Sequence, residues 1–151
     1  MEFSTTRFGN IVVDESRIIT MRGGILGFER LKRFVLLTQH DNIPFSWFQS
    51  VDDGSVAFIV TNAFMVKVDY SLVLSDSEVE LLEIASVEDV VPMVIVTIRS
   101  EPFEITANLR APVVINIARR LARQIVLQDS DYPVRFSIQT RTGQEEGGAL
   151  I

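Results

Sequence analysis

The chain has 151 residues, 47% of them hydrophobic, so it can bury a sizeable core as one compact domain. It contains no cysteine, which excludes disulfide bonds and thiolate metal sites and fits a reducing environment. Twenty acidic against fourteen basic side chains give a net charge of −6, which opposes binding to nucleic acid or to anionic lipid.

Most of the sequence consists of short β-branched and aromatic runs separated by Gly, Pro, Asn and Asp, which is typical of a sheet-rich protein. Twelve runs are predicted strands, at residues 3–8, 11–13, 17–21, 34–38, 45–50, 56–61, 70–74, 90–99, 103–109, 112–117, 123–127 and 134–138. Because a closed sheet or a sandwich removes exposed edges, so many short strands favour one of these two architectures. We predict a mostly β fold, as a single small domain: a closed or partly closed antiparallel β-barrel with one or two short helices.

A glycine-rich segment, MRGGILGFERLKRF at residues 21–34, follows the third predicted strand. Its glycine spacing is neither that of a P-loop nor that of a dinucleotide-binding loop, so it does not predict a phosphate site. We expect a tight chain reversal with three glycines at positive φ, namely Gly23, Gly24 and Gly27. Three apolar side chains are expected to pack inward from it, namely Ile25, Leu26 and Phe28.

The segment DDGS, between Val51 and Val56, carries the Asp-Gly pair that is typical of a tight turn between two strands. It joins FSWFQS to VAFIVT, and the two runs are predicted to form a hairpin.

Two segments favour helix. Ser75 precedes Glu78 by three residues, which is the spacing of a capping box, and predicts a helix of about two turns. The segment NIARRLARQIVL, at residues 116–127, has good helix propensity, but its flanks have the composition of strands. A helix and a hairpin with an Arg-rich connection therefore both remain open for residues 116–127.

No catalytic, cofactor or metal motif occurs in the sequence. The single histidine, His40, cannot by itself form a His-rich metal site and is predicted to lie in a loop. Carboxylates are plentiful, so a ligand-binding or hydrolytic barrel with paired carboxylates is an alternative, but no spacing selects a pair. We therefore expect no enzymatic activity, no cofactor and no metal.

The negative charge is concentrated in the middle of the chain. Residues 41–110 hold twelve acidic and three basic side chains, and six of the carboxylates lie between Asp76 and Asp89. Such a run is either a solvated face or a surface that steers a basic partner. Direct RNA binding through the basic segments RLKR and RRLAR is a further alternative, although the aromatic-rich segment at residues 42–58 holds no Lys or Arg.

Several phrases occur in a specific order along residues 5–138: RFGNI, GILGFE, RFVLL, PFSWFQSVDD, AFIVTNAF, DYSLVLS, TANLRAPVVIN and RQIVLQDSDYPVR. In this arrangement the chain resembles the family of the bacterial flagellar assembly factor FliW. The resemblance implies a small, cytoplasmic, mostly β protein with no catalytic activity, whose partners are proteins.

Members of that family bind the translational repressor CsrA, a small basic RNA-binding dimer, and prevent it from repressing flagellin messenger RNA. They also bind flagellin, so that accumulated flagellin occupies the protein and releases CsrA. The resemblance therefore implies a partner switch governed by mass action, with a chaperone-like role towards flagellin and no direct contact with nucleic acid or membrane.

We predict that the partner-binding face is acidic and partly apolar and consists of Asp52, Asp53, Asn62, Phe64, Asp69 and Tyr70. Exposed carboxylates there would meet Arg and Lys of a basic partner, while Phe64 and Tyr70 would supply desolvated anchors. The alternative is that both aromatic rings belong to the core. Two further polar residues, Asn108 and Asn116, are expected to satisfy backbone groups at strand ends.

The domain is expected to span residues 1–138, followed by a flexible C-terminal tail at 139–151, which is polar and glycine-rich until its last three residues. No apolar run approaches the roughly 20 residues that cross a bilayer, and no signal peptide is evident. We expect a soluble, cytoplasmic monomer.

Overall fold

Eleven strands and two short α-helices form the part of the chain that the computed structural model describes, residues 1–38 and 44–138. The strands are β1 (Glu2–Thr5), β2 (Gly9–Val12), β3 (Ile19–Met21), β4 (Arg33–Leu37), β5 (Ser46–Ser50), β6 (Ala57–Asn62), β7 (Val90–Ser100), β8 (Phe103–Ala107), β9 (Val113–Asn116), β10 (Leu121–Gln124) and β11 (Phe136–Ser137). The helices are α1 (Ala63–Val66) and α2 (Asp76–Leu81), and single 3-10 turns occur at Glu15–Arg17 and Val87–Asp89. The predictions for His40 and for the tail at 139–151 lie outside the described residues.

Seven strands close into a barrel in the order β7, β6, β5, β4, β3, β10 and β9, with β9 pairing back onto β7. All pairings in the ring are antiparallel except that of β10 with β3, which is parallel. The predicted mostly β barrel with short helices is thus confirmed. The parallel pair departs from the purely antiparallel expectation. Strand β10 returns antiparallel to β9, and its other edge meets β3, which runs in the same direction as β10.

Strand β7 is the longest strand and serves two parts of the sheet. Its first residues, Val90–Met93, pair with β9, whereas its last residues, from Val96 to Ser100, pair with β8. Strands β8 and β9 therefore lie end to end along one edge of β7, and the N–H of Asn108 between them donates to the carbonyl of Ile95. Strand β11 extends the sheet beyond β8, and β1 with β2 forms a separate hairpin.

The barrel interior is filled by alternate side chains of its strands, as the period of two along a strand requires. Phe34 and Phe48 are buried there and stack with ring centroids 4.5 Å apart. The opposite faces of the same strands are also covered: Val35 and Val51 pack under the hairpin of β1 and β2, while Val94 and Val114 pack under the segments around the two helices.

The glycine-rich segment closes one end of the barrel. Its three glycines have φ of 113°, 78° and 86°, in chain order, as predicted for the chain reversal. Ile25 and Phe28 join the barrel core, and Phe28 meets Phe58 edge to face at 5.2 Å. The prediction for Leu26 is wrong, because its N–H donates to Gln124 at 2.8 Å and its side chain is 63% exposed.

Residues 116–127 form a hairpin end rather than a helix. The side-chain oxygen of Asn116 accepts from the N–H groups of Ala118 and Arg119, and Arg120 adopts a left-handed φ of 57°. These bonds hold a tight turn between β9 and β10 in place of the helix that propensity favours. The helix at Ser75 is confirmed, with both hydrogen bonds of its capping box present.

Several predicted strands differ from those observed. The prediction at 70–74 is wrong, since no strand occurs there, and the strands predicted at 123–127 and 134–138 are shorter or shifted.

The hairpin across the DDGS turn is confirmed by the antiparallel pairing of β5 with β6. Asn108 and Asn116 both bond backbone groups at strand ends, as expected.

Replacement of Gly24 by alanine tests the chain reversal. A Cβ atom at Gly24 would lie 2.7 Å from the Cα and 2.8 Å from the carbonyl oxygen of Glu29, so the backbone would have to shift. Together with the left-handed φ, this should lower the free energy of unfolding by about 2–4 kcal/mol. Urea-induced unfolding followed by tryptophan fluorescence measures the change.

Gly27→Ala is the matched control, because Gly27 also has positive φ but a Cβ atom there meets no atom within 4 Å. It should lower the free energy of unfolding by only about 1–2 kcal/mol. Equal losses for the two variants would contradict the close approach at Gly24.

Candidate partner-binding site

The six residues predicted to bind a partner do not form one face. Asp52 and Asp53 lie in the turn between β5 and β6, whereas Asn62 ends β6 and the other three follow it. Because β6 runs from Ala57 to Asn62, the two groups lie at opposite ends of a strand, about 17 Å apart at the usual rise per residue. The structure brings together only the group that begins at Asn62.

The carboxylate of Asp52 is hydrogen-bonded within the fold. Its carboxylate accepts from the N–H groups of Lys32 at 2.8 Å and Arg33 at 3.0 Å, and from the Arg33 side chain at 2.9 Å. Burial acts to raise the pKa of Asp52, but these hydrogen bonds outweigh it and hold the pKa below the usual 3.8. The carboxylate therefore ties the end of the glycine-rich segment to the β5–β6 turn.

Asp53 and Asn62 also make local bonds. The Asp53 carboxylate accepts from the hydroxyl and the N–H of Ser55, which lower its pKa, and it lies 3.7 Å from the guanidinium of Arg30. The side chain of Asn62 accepts from the N–H of Phe64 and so caps helix α1. Asp53 therefore stabilises the turn in which it lies, and Asn62 stabilises the start of helix α1.

The two predicted aromatic anchors differ in exposure. Tyr70 is only 3% exposed, donates its hydroxyl to the carbonyl of Leu109 at 2.8 Å and stacks on Tyr132 at 4.7 Å. Burial, followed by the neighbouring Tyr132, raises the pKa of Tyr70. Phe64 packs edge to face on Tyr70 but remains 47% exposed. Tyr70 therefore supports Phe64 from below, and Phe64 provides the accessible surface.

Asp69 is exposed and forms an ion pair with Lys67 at 3.0 Å, which lowers the pKa of its carboxyl. An exposed pair of this kind is weak and is open to competition by a partner's charges.

Phe64 borders an open groove of about 860 Å³, called here the Phe64 groove. It is lined by Phe64, residues 70–72, Leu74, Val79, residues 84–88, Val90 and Pro92. Apolar side chains dominate this lining, and Val87 on the rim is 83% exposed. An exposed apolar surface of this kind is typical of a protein-binding site.

The walls of the Phe64 groove are anchored to the barrel. Leu82, at the end of α2, is fully buried against Val114 and Leu121 on the outside of the barrel. The side-chain amide of Asn116 donates to the carbonyls of Leu82 at 2.8 Å and Glu83 at 3.1 Å. The groove is thus a built feature of the fold.

Carboxylates surround this surface. Residues 69–89 contain seven acidic side chains and no Lys or Arg. One of the seven, Glu83, faces Arg22 at 3.5 Å and Arg119 at 3.6 Å, and Asp69 faces Lys67. The remaining acidic side chains make no ion pair within the described residues, so the groove is apolar with a negative rim.

The apolar lining at Leu72, Val79 and Val87 was missed as a binding surface when the sequence was read alone. For Val79 and Val87 the signal is present as apolar residues interspersed through the acidic run VELLEIASVED. The capping box at Ser75, just before this run, predicted a helix, but neither pattern reveals which apolar side chains are left uncovered.

The barrel interior offers no pair of carboxylates among the described residues. Its core consists of apolar side chains, and the buried polar residues of the described part are Thr5, Gln49, Ser50, Thr61, Thr106 and Asn116. No group of three or more potential metal ligands occurs within residues 1–38 and 44–138. The geometry required by a hydrolytic barrel is therefore not found in the part of the chain described.

None of the helices in the described residues is long and apolar enough to cross a membrane.

Comparison with known proteins places the chain among a well-defined set of relatives. A family model described as FliW protein matches residues 2–138. The flagellar assembly factor FliW of Syntrophus aciditrophicus (strain SB) is 54% identical over 138 residues, covering 91% of this chain and 87% of that relative. The flagellar assembly factor FliW of Geobacter sulfurreducens (strain ATCC 51573 / DSM 12127 / PCA) is 44% identical over 135 residues, covering 89% and 84%, respectively.

A solved structure, described as the crystal structure of the flagellar assembly factor FliW, has the same fold. It superposes with a TM-score of 0.81 at 34% sequence identity and covers 91% of this chain and 96% of that one.

Replacement of Asp52 by alanine tests its structural role. The change leaves two backbone N–H groups without their acceptor, so the free energy of unfolding at pH 7 should fall by about 1–3 kcal/mol. Because the pKa of Asp52 is lowered in the folded protein, its contribution is full above 3.8 and is lost as the pH falls through the lower folded value. Urea unfolding at a series of pH values should show the difference from the wild type shrinking in acid.

Asp69→Ala is the control, since Asp69 is exposed and bonds no backbone group of another residue. Its unfolding midpoint should stay close to that of the wild type. A loss as large as that of Asp52→Ala, or a deficit for Asp52→Ala that persists unchanged in acid, would refute the role assigned to Asp52.

Proposed function

The chain belongs to the FliW family, and on that basis we propose that it is a non-enzymatic flagellar assembly factor that binds the translational repressor CsrA and flagellin. Bound CsrA no longer represses flagellin messenger RNA. Flagellin that accumulates before export occupies the protein, and the released CsrA lowers flagellin synthesis. Each partner thereby shifts the other's binding by mass action, with no chemical step.

The observation that supports this proposal is the apolar, acid-rimmed Phe64 groove. CsrA is a small basic protein, so its Lys and Arg side chains complement the negative rim, while Phe64 and Val87 offer apolar contacts that lose water on binding. Long-range attraction between opposite charges also speeds encounter of the two proteins, and salt weakens it.

Direct RNA binding through the basic segments is less well supported. Arg33 is held by Asp52 at 2.9 Å, Arg30 lies near Asp53, and Arg123 donates to the carbonyl of Arg22 at 2.8 Å. Guanidinium groups engaged in this way are less available to bind phosphates.

Both proposed partners are made in the cytoplasm, so we place the protein there as well, acting as a monomer. It would hold flagellin in a chaperone-like way until export. The predicted residues Phe64 and Asp69 belong to the binding face in this proposal, and Asn62 and Tyr70 support it. Asp52 and Asp53, at the other end of β6, would lie outside the contact.

Substitution of Val87 by lysine tests the proposed CsrA site. The side chain is largely exposed, so the change leaves the core intact, and it places a positive charge where a basic partner should dock. We expect the Kd for purified CsrA to rise at least tenfold, measured by isothermal titration calorimetry and checked by co-elution in size-exclusion chromatography.

Val12→Lys is the matched control, because Val12 is 77% exposed on β2 and lines neither the Phe64 groove nor its surroundings. It should bind CsrA within about twofold of the wild type. The association rate of the wild type should also fall with ionic strength. The function would be disproved if the protein formed no complex with CsrA and none with flagellin at micromolar concentration. The site would be disproved if Val87→Lys and Val12→Lys changed the Kd for CsrA equally.

A further inference from the structure

Two segments that have the sequence of strands lie outside the strands of the barrel and keep a backbone edge free. Residues 70–74 form no strand. Residues 125–127 continue beyond the end of β10 and bond along one edge only, because the N–H of Ile125 donates to the carbonyl of Pro112 and the N–H of Leu127 donates to the carbonyl of Arg110. Their composition, rich in Leu, Val and Ile, predicted strands at both places. Positions where strand-like sequence does not enter a sheet are candidates for function, because local preference and final structure disagree there.

Both segments nevertheless have the side-chain alternation of an extended chain. Leu72 and Leu74 are partly buried, whereas Val73 between them is 89% exposed. Ile125 is buried, and Val126 after it is 43% exposed. This period of two is that of a β-strand with one covered face.

The covered faces of the two segments lie in the same apolar layer. Leu72, Leu74, Ile125 and Leu127 belong to one cluster around Leu82 on the outside of the barrel. The two segments are therefore neighbours that pack on the same apolar cluster. No backbone hydrogen bond within the described residues joins one segment to the other.

Part of the backbone along these segments is unpaired. Within residues 1–38 and 44–138, no hydrogen bond reaches the N–H or C=O groups of Leu72, Val73, Leu74 or Val126. Unpaired backbone on an extended segment is a template for an added strand. The two segments thus offer backbone donors and acceptors together with exposed valine side chains.

An open groove of about 650 Å³ lies between the segments and is called here the Val73 groove. Residues 71–73 form one wall and residues 125–132 the other. The charged side chains that line it are Glu78, Asp129 and Asp131, and no Lys or Arg is among its lining residues. The groove is therefore complementary in charge to a basic segment.

We propose that the Val73 groove binds an extended, basic segment of a partner polypeptide by strand addition. The partner's backbone bonds the free N–H and C=O groups of residues 72–74 or 126, and its alternate side chains pack on Val73 and Val126. Lysine or arginine side chains on the opposite face of the segment meet the three carboxylates. The proposal rests on the proposed function only in taking the ligand to be a protein, and the site is separate from Val87.

A blocked synthetic peptide, acetyl-(Lys-Val)3-Lys-amide, is the probe. We expect saturable binding to the full-length protein at peptide concentrations up to about 1 mM, measured by NMR titration of the ¹⁵N-labelled chain. Hydrogen exchange should then slow at the amides of residues 72–74 and 126, and not at Val87.

Three further peptides separate strand addition from simple charge attraction. Two carry N-methyl groups, one on every valine and the other on every lysine, and each therefore blocks one hydrogen-bonding edge while keeping all side chains. At least one of them should bind at least tenfold more weakly. The third, acetyl-(Glu-Val)3-Glu-amide, keeps the backbone and reverses the charge, and it should not bind measurably.

Val73→Lys is the variant of the site, and its exposed side chain makes a folding defect unexpected. It should weaken binding of the lysine peptide at least tenfold, whereas Val87→Lys, the control in the Phe64 groove, should change it less than twofold. Thermal unfolding of each variant confirms that it is folded.

The proposal is overturned if the lysine peptide does not bind, if both N-methylated peptides bind as tightly as the parent, or if Val87→Lys is the more damaging change. Each of these outcomes is independent of the assembly function. If the wild-type protein binds CsrA but not the lysine peptide, the proposal for the Val73 groove is wrong and the proposed function still stands.

Discussion

Closure of the barrel depends on the tight turn that leads from β9 into β10. Asn116, buried at the end of β9, accepts from the N–H groups of Ala118 and Arg119 and so sets the direction in which the chain returns. That return places β10 between β9 and β3, and the parallel pair of β10 with β3 completes the ring. Without it, β3 and β9 would remain open edges of a sheet.

The same asparagine connects the barrel to the surface that carries the proposed function. Its amide group donates to the carbonyls of Leu82 and Glu83, where helix α2 ends. The acidic run therefore does not project freely into solvent but is held against β9 by a buried side chain. Asn116 thus bonds both the turn that closes the barrel and the segment that borders the Phe64 groove.

The carboxylates of this protein divide into two kinds by what they bond. Asp52 accepts backbone hydrogen bonds and stabilises the chain reversal that plugs the barrel, whereas the acidic side chains near α2 keep mostly to the surface. A charge that is already paired contributes little to a partner, while an unpaired one on an apolar rim attracts opposite charge at long range. This division explains why the negative field of the chain's middle is presented beside the Phe64 groove and not at the β5–β6 turn.

Much of the architecture could be predicted because it follows from local chemistry. The capping box at Ser75, the Asp-Gly turn after β5 and the glycines at positive φ each act within a few residues, so the sequence alone reveals them. The proposed site was predicted less well. Asp52 and Tyr70 look like surface anchors in sequence, but one bonds backbone groups about twenty residues away and the other bonds Leu109 across the fold.

The sequence by itself determined a sheet-rich barrel, an acidic middle and membership of a family, since composition, periodicity and ordered motifs are properties of the chain. The tertiary structure alone decided that Arg-rich residues 116–127 turn instead of forming a helix. It also decided that, within the described residues, the backbone of residues 72–74 and of Val126 lies unpaired beside the grooves. The physical reason is that a hydrogen bond or an apolar contact between distant residues depends on which segments the closed barrel brings together, and local preference carries no information about that.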